Sequence, residues 1–410
     1  FYLKGELMLN SKISNFLSLP ELEFTKESNQ YKNTLRFHCK KTSSAEVCPK
    51  CATLSTTLYD KREVSIKDTP IRDKMVYLKI TKRRFFCKNC KKPFTEPVQG
   101  IIKGYRSTVR FRKHVLWCAT NFADLKRVQD KCRCSSWLVY TAYYQHAELE
   151  VKKLQNPWGK TIGIDEHSFI RNKKYGYKEF ASVFVDYNRS RIREVVYGRY
   201  GADYWADKNL RSIPGRENVK NVICDFSPSM RSFAKSFFPN AIIIADKFHL
   251  IRLANHAVNM KRLELMKDPK SYIQKSRKNP LRKLLLKNGK RLHFHEQRSL
   301  MYVFDRHREL EAYYRVKEMI HNLYQIRGIK RASKALTRIT DFIASLKMDG
   351  LKSLRRTLMD WRQEILNYFK RRVTNGKTEG FNRKAKLIQR AAYGFKKFEN
   401  YRLKLIYLSR

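Results

Sequence analysis

Thr161–Ile170 reads TIGIDEHSFI, and the fold turns on it. Thr161, Ile162 and Ile164 suit a buried strand, and Gly163 suits a point where another element must approach closely. Asp165 stands where the apolar run ends, with Glu166 and His167 directly behind it. A strand that delivers a carboxylate to its exit holds a metal ligand rigidly, although a lone Asp can equally end a strand in a turn. Two further segments repeat the pattern. VKNVICD ends a buried strand in Asp225, and AIIIADKFHL ends another in Asp246, with His249 close behind.

The intervening residues give the order of elements. EFASVFVDY and REVVYGRY alternate as second and third strands of a meander that starts at Thr161. ADYWADKNLRSIPG reads as a helix, and so does SPSMRSFAKSFFPN, with Ser227 near its start. Three antiparallel strands followed by strand–helix units is the plan of an RNase H-like domain. That plan lays the first and fourth strands side by side, which makes Asp165 and Asp225 neighbours. Residues 250 to about 370 are helical and basic, too long for a loop, and are expected to form an inserted helical subdomain. Within it Trp361 shares helical spacing with Leu358, Ile365 and Leu366 and reads as core, stacking on a distorted base being the alternative.

After the insertion, Thr374, Asn375 and Gly376 form a turn, and Glu379 falls in the first turn of the next helix. From Thr374 to Arg410 there are ten Lys or Arg and two acids. An acid at a helix N-terminus is ordinary; as third member of a metal site Glu379 is the missing piece. Lys384, Lys386 and Arg390 on this helix are candidates for DNA backbone contacts.

Towards the N-terminus stand CPKC (Cys48, Cys51) and CKNC (Cys87, Cys90). Two such knuckles joined by a strand-rich spacer make a zinc ribbon, with thiolates closing a tetrahedral site at about 2.3 Å. VYLKITKRRFF supplies the alternation of a hairpin strand, and the long spacer must hold extra structure. Cys39 has no partner at ligand spacing and reads as packing. TVRFRKHVLWCATNF is helical, with Val109, Val115, Leu116 and Ala119 near one face. DLKRVQDKCRCSSWLVYTAYYQ then reads as helix-turn-helix. Val128, Cys132, Cys134 and Val139 would be its core, and Ser135 or Ser136 the cap of its second helix. Arg133 occupies the turn where Gly is favoured. Trp137, Tyr140, Tyr143 and Gln145 would be exposed and face a DNA groove. A plain helical hairpin is the simpler alternative.

The fold class expected is thus α+β and multidomain: an N-terminal segment (1–38), a zinc-binding ribbon (39–104), a helix-turn-helix domain (105–155) and the RNase H-like domain (156–410). The first segment carries a weak helical signal and a polar stretch that can enter a strand.

The 410 residues are 42% hydrophobic, enough for folded domains with real cores. Lys and Arg number 88 against 37 Asp and Glu, a formal charge of +51 spread along the chain. Such self-repulsion calls for a polyanionic partner: nucleic acid first, an anionic membrane surface second. No apolar run approaches the ~18–20 residues of a membrane span, and no secretory signal is visible. Two CxxC pairs among nine cysteines suggest metal before disulfide.

GIDE (Gly163–Glu166), ICDFSPSM (Ile223–Met230), ADKFHL (Ala245–Leu250) and TNGKTEGFNRKAKLIQRAAYGF (Thr374–Phe395) together resemble the ISL3 family of insertion-sequence transposases, of DDE type. The knuckles and the FTEP after them (Phe94–Pro97) resemble its zinc element. The resemblance implies a catalytic triad of Asp165, Asp225 and Glu379 holding two Mg²⁺ ions, for which Mn²⁺ can substitute. Glu166, Asp246, His249, Asn375 and Asn382 would be accessory. It implies binding of double-stranded DNA at terminal inverted repeats, cleavage, strand transfer to a target, a homodimer on paired ends, and a place at the bacterial nucleoid in the cytoplasm. A DNA-binding regulator with an inactive catalytic domain and a structure-specific nuclease are the alternatives. No motif of a tyrosine or serine recombinase is present.

Overall fold

The computed structural model describes residues 19–410 except 32, 123, 155, 172–175, 177 and 268–279. Residues 1–18, part of the stretch with the weak helical signal, lie outside the described residues. The chain separates into two compact units, Phe1–His146 and Ala147–Arg410.

The first unit begins with β1 (Leu22–Tyr31), β2 (Thr34–Lys41), β3 (Glu46–Val47), β4 (Leu54–Ser55), β5 (Leu58–Ile71), β6 (Lys74–Cys87) and β7 (Lys92–Thr95). The extra structure in the long spacer is the β5–β6 hairpin. Its turn residues Arg72 and Asp73 both have positive φ, 48° and 61°, as the strand twist favours. Val76, Leu78 and Ile80 alternate into a core shared with Leu22, Phe24, Cys39 and Ile66. Cys39 is therefore packing. The sheet runs β1-β2-β6-β5, with β7 also on β6 and β2 parallel to β6. Because β1 and β2 belong to this sheet, residues 19–38 are not a separate N-terminal segment, contrary to expectation. A parallel pairing of distant strands leaves no local sign in the sequence.

Three helices follow: α1 (Val109–Asn121), α2 (Leu125–Cys132) and α3 (Ser136–Lys153), the last crossing the boundary between the units. Thr108 and Asp124 cap α1 and α2, and Ser135 accepts from Leu138 N to cap α3. Arg133 adopts the left-handed conformation, φ 46°, that the turn requires. The buried face of α1 is Phe111, Val115, Cys118 and Ala119; Val109 and Leu116 are only half-buried.

In the second unit β8 (Thr161–Arg171), β9 (Lys178–Asp186) and β10 (Arg191–Tyr197) form an antiparallel meander. Next come α4 (Gly201–Ala206) and α5 (Lys208–Ser212). They divide the single helix expected there, because Asp207 leaves helical geometry to cap α5 through Leu210 N. Then follow β11 (Asn221–Cys224), α6 (Pro228–Phe237) capped by Ser227, and β12 (Ile242–Ala245). The sheet order is β10-β9-β8-β11-β12, with β8, β11 and β12 parallel. Its even positions on β8, Ile162 and Ile164, meet Trp158, Phe184, Phe233 and Phe237 in one core.

The helical block comprises α7 (Lys247–Leu265), α8 (Pro280–Leu286), α9 (Phe294–Arg306), α10 (Arg308–Leu323), α11 (Ile329–Leu346), α12 (Asp349–Asp360) and α13 (Arg362–Arg371). Helix α13 covers the sheet's free edge: Asn367 Nδ2 donates to the Ile243 carbonyl at 2.8 Å. Trp361 is buried beside Phe226, with ring centroids 5.1 Å apart, and is core. Finally α14 (Gly376–Ala391) and α15 (Phe398–Leu408) return to the sheet. Buried Arg402 on α15 makes a bidentate pair with buried Glu194 on β10, at 2.6 and 2.7 Å.

Candidate active site

The odd positions of β8 build the site. Gly163, Asp165 and His167 share one face of the strand, and α14 lies along it. A Cβ on Gly163 would stand 2.0 Å from Thr378 Oγ1 and 2.7 Å from the Tyr187 ring, so only glycine admits this approach. Tyr187 Oη is 2.8 Å from Thr378 Oγ1 and donates to the Thr374 carbonyl at 3.0 Å, fixing the start of α14. One helical turn on, Asn382 Nδ2 donates to Asp165 Oδ2 at 2.6 Å. Four helical residues rise about 6 Å and two strand residues about 6.6 Å, so Thr378 over Gly163 is followed by Asn382 over Asp165. His167 is buried, 2.5 Å from Tyr401 Oη, and burial pushes its imidazole down to about 4.

The other acids come from strand ends. Asp225 follows β11, and Asp246 follows β12, where its carboxylate caps α7 through Phe248 N at 3.1 Å. His249, one turn into α7, places Nδ1 2.7 Å from Asp225 Oδ2. Asn375, buried at the start of α14, lines the same cleft and accepts from Tyr187 Oη at 3.5 Å. Asp165, Glu166, Asp225, Asp246, His249, Asn375, Glu379, Asn382, Arg383 and Lys386 all line one cleft of about 740 Å³. Burial, then the charge of Asp225, pushes Asp165 up to about 7. Burial also raises Asp246 and Glu166. Carboxylates that destabilise one another in this way are suited to a divalent cation, which supplies the missing positive charge. The tightest grouping of potential ligand atoms in the cleft is Asp225, Asp246 and His249, all within 4.8 Å of one another. Glu379 is half-exposed, and its carboxylate accepts from Arg383 at 2.6 Å.

The expected DNA-contacting residues divide. Lys386 lines the cleft, and Arg390 lies one turn further on the same stripe and is exposed. Lys384 does not share that stripe; its ammonium donates to the Leu408 carbonyl. On α3, Trp137 and Tyr140 are 59% and 47% exposed, and Gln145 is exposed. Tyr143 is fully buried, contrary to expectation: it lies one turn from buried Val139, on the inner face. Thr378, Tyr187 and Arg383 carry no signal of their own in the sequence. Gly163 is the one sign that something has to dock there.

In the first unit Cys48, Cys51, Cys87 and Cys90 converge within 4.8 Å, the ligand set of a structural Zn²⁺. Each knuckle is closed by a left-handed residue, Ala52 (φ 58°) and Lys91 (φ 51°). Thr53, bonded to Cys51, pulls that thiol down to about 5. Among the described residues no helix is long and apolar enough to cross a membrane.

Acids within β8 and after β11 and β12, beside a basic helix, offer the oxygen donors used by a class of protein that works on phosphates through divalent cations. Comparison with known proteins narrows the class. Residues 162–405 match the transposase family ISL3, of DDE type, and residues 44–90 match the zinc finger of the IS204/IS1001/IS1096/IS1165 transposases. The chain belongs to the ISL3 family of transposases. It is 22% identical over 381 residues to the transposase for insertion sequence element IS1001 of Bordetella parapertussis, covering 91% of each chain. Among solved structures it is similar to the Drosophila P element transposase strand transfer complex, at TM-score 0.40 and 10% identity, covering 75% of this chain and 93% of that one.

Proposed function

We propose that this transposase cuts and joins DNA ends in the cleft between β8, β11 and α14, with Asp165, Asp225 and Glu379 as the metal-holding triad. The observation that carries the reading is the docking of α14 on Gly163, which brings Glu379 into the cleft with the strand-end acids. The strand order and directions fit an RNase H-like domain. Two Mg²⁺ ions, or Mn²⁺, would activate a water or a DNA 3′-hydroxyl and neutralise charge on the reacting phosphate. Asn382 orients Asp165 and His249 holds Asp225, with Asn375 and Asp246 accessory in the same cleft. Lys386, with Arg383 beside Glu379, attracts the phosphate backbone. Helices α2 and α3 act as a helix-turn-helix reading the terminal inverted repeats through Trp137, Tyr140 and Gln145. Two chains pair the two ends.

A second assignment has its own support. The proximity of Asp225, Asp246 and His249 favours Asp246 as a ligand in place of Glu379. Cleavage of an end-containing duplex in Mg²⁺, beside end binding in Ca²⁺, separates them. Glu379→Gln should abolish cleavage and spare binding, while Asp246→Asn should lose activity only in part. The reverse pattern would move the third acid to Asp246.

A further inference from the structure

A second sulfur-rich cluster lies in the first unit, outside the knuckles. His114 and Cys118 stand one turn apart on α1, Cys132 ends α2, and Cys134 follows the left-handed Arg133. The ligand atoms of His114, Cys118 and Cys132 all lie within 4.8 Å of one another. His114 Nε2 is 3.7 Å from Cys118 Sγ. With metal–sulfur and metal–nitrogen bonds of about 2.3 and 2.0 Å, the corresponding edge of a zinc tetrahedron is about 3.5 Å. In the knuckles, Cys51 Sγ and Cys87 Sγ are likewise 3.5 Å apart. Cys134, half-buried two residues beyond Cys132, is not part of that grouping.

We infer that His114, Cys118 and Cys132 form a second site for a thiophilic divalent cation, Zn²⁺ in practice, that ties α1 to the end of α2. Neutral thiols packed as small apolar groups would account for the burial of Cys118 and Cys132. They would not account for the imidazole, whose Nε2 faces Cys118 Sγ at close to the edge of a zinc tetrahedron. Two thiolates, a neutral imidazole and a dication sum to zero charge, so the buried site needs no counter-ion; Lys67 donates instead to the Cys132 and Arg133 carbonyls that end α2. The ligand pattern is consistent with the local structure: H-x3-C puts two ligands on one helix face, and Cys132 at the end of α2 is brought to them by helix packing.

The test uses the intact chain. Elemental analysis of the purified protein should find two zinc ions per chain, and X-ray absorption should find a minority of nitrogen among mainly sulfur ligands. Neither measurement needs a variant. Cys48→Ser/Cys51→Ser should keep one ion, and its Co²⁺ form should still show thiolate-to-cobalt absorption. Cys118→Ser/Cys132→Ser should also keep one. One zinc per parental chain with an all-sulfur shell would overturn the site, and so would a Cys118–Cys132 disulfide found by mass spectrometry of protein purified without reductant.

Discussion

The four-cysteine knuckles and, on the function proposed, the acidic cleft gather their metal ligands by opposite routes. In the knuckles each pair of ligands is three residues apart, and local turns present them. The ion then joins β3–β4 to the end of β6. In the cleft Asp165, Asp225, Asp246 and Glu379 are far apart in sequence, and a sheet and a docked helix must exist before they meet. The first site helps make its fold, whereas the second is made by its fold. Removing ligands from the first should therefore cost structure, and removing them from the second should cost chemistry.

The largest effect is expected where metal and folding are one process. Cys48→Ser/Cys51→Ser should release the ribbon's zinc, withdrawing on the order of 10 kcal/mol of metal-coupled folding energy. Circular dichroism and limited proteolysis should show the region around β3, β4 and the end of β6 loosened, with α1–α3 and the second unit intact. A variant that keeps its proteolytic pattern would mean that the β5–β6 hairpin core suffices alone.

In the cleft the same kind of change should leave the fold alone. Glu379→Gln, Asp165→Asn and Asp225→Asn should each lower strand cleavage by about 10³-fold or more, roughly 4 kcal/mol of barrier. Their effects should not add, since the acids act as a unit. End binding in Ca²⁺ should persist.

Gly163→Ala lies between these extremes. The new Cβ must displace Thr378, so α14 shifts with Glu379 and Asn382 on it. Overpacking should cost about 1–3 kcal/mol of stability. A displacement near 1 Å should cost about 10²-fold in cleavage. Thr378→Ala in the same chain should restore part of both. Parental activity in Gly163→Ala alone would show that α14 does not position the chemistry.

Strands with one buried face, acids behind apolar runs and CxxC pairs are local patterns, and β8–β12, Asp225, Asp246 and the four knuckle cysteines were legible. So were the cap at Ser135 and the buried Trp361. Asp165 was legible as an acid behind an apolar run, but β8 continues past it to Arg171, so it lies within the strand and not at its exit. What sequence hid was long-range or a matter of phase. Nothing local pairs β2 with β6 or Glu194 with Arg402. Tyr143 runs against expectation because aromatics in a helix show their face only once the helix is phased on Val139. Cys118 carries little signal because only His114, one turn back, is a local neighbour, and Cys132 is brought to it by the packing of two helices.

The cleft also has a pH signature of its own. Asp165 has a folded value of about 7 against an ordinary 3.8, and Asp246 and Glu166 are raised too. Without divalent cations the unfolded chain ionises first as pH rises, so stability should fall between pH 4 and 7. Thermal unfolding without added Mg²⁺ should show this decline, Mg²⁺ at pH 7.5 should reverse it, and Asp165→Asn should flatten it. A decline of the same slope in Asp165→Asn would assign it to other groups.

The smallest effect belongs to the knuckles and concerns backbone alone. Ala52 and Lys91 hold positive φ although both carry a Cβ, which costs about 1–2 kcal/mol in the left-handed region. Glycine would remove that strain, but it also gives the unfolded chain more freedom, at about 0.5–1 kcal/mol. The net gain for Ala52→Gly or Lys91→Gly should thus be below about 1 kcal/mol, a few-fold in zinc affinity. Both side chains are exposed, so no packing is lost. Competition with a chelator, read as zinc transfer, resolves a difference of that size. Tighter zinc with unchanged cleavage per folded chain would locate the effect in the ribbon. Weaker zinc would mean that the left-handed residues are held by contacts beyond their own backbone, and that the knuckles, like the cleft, depend on the surrounding fold.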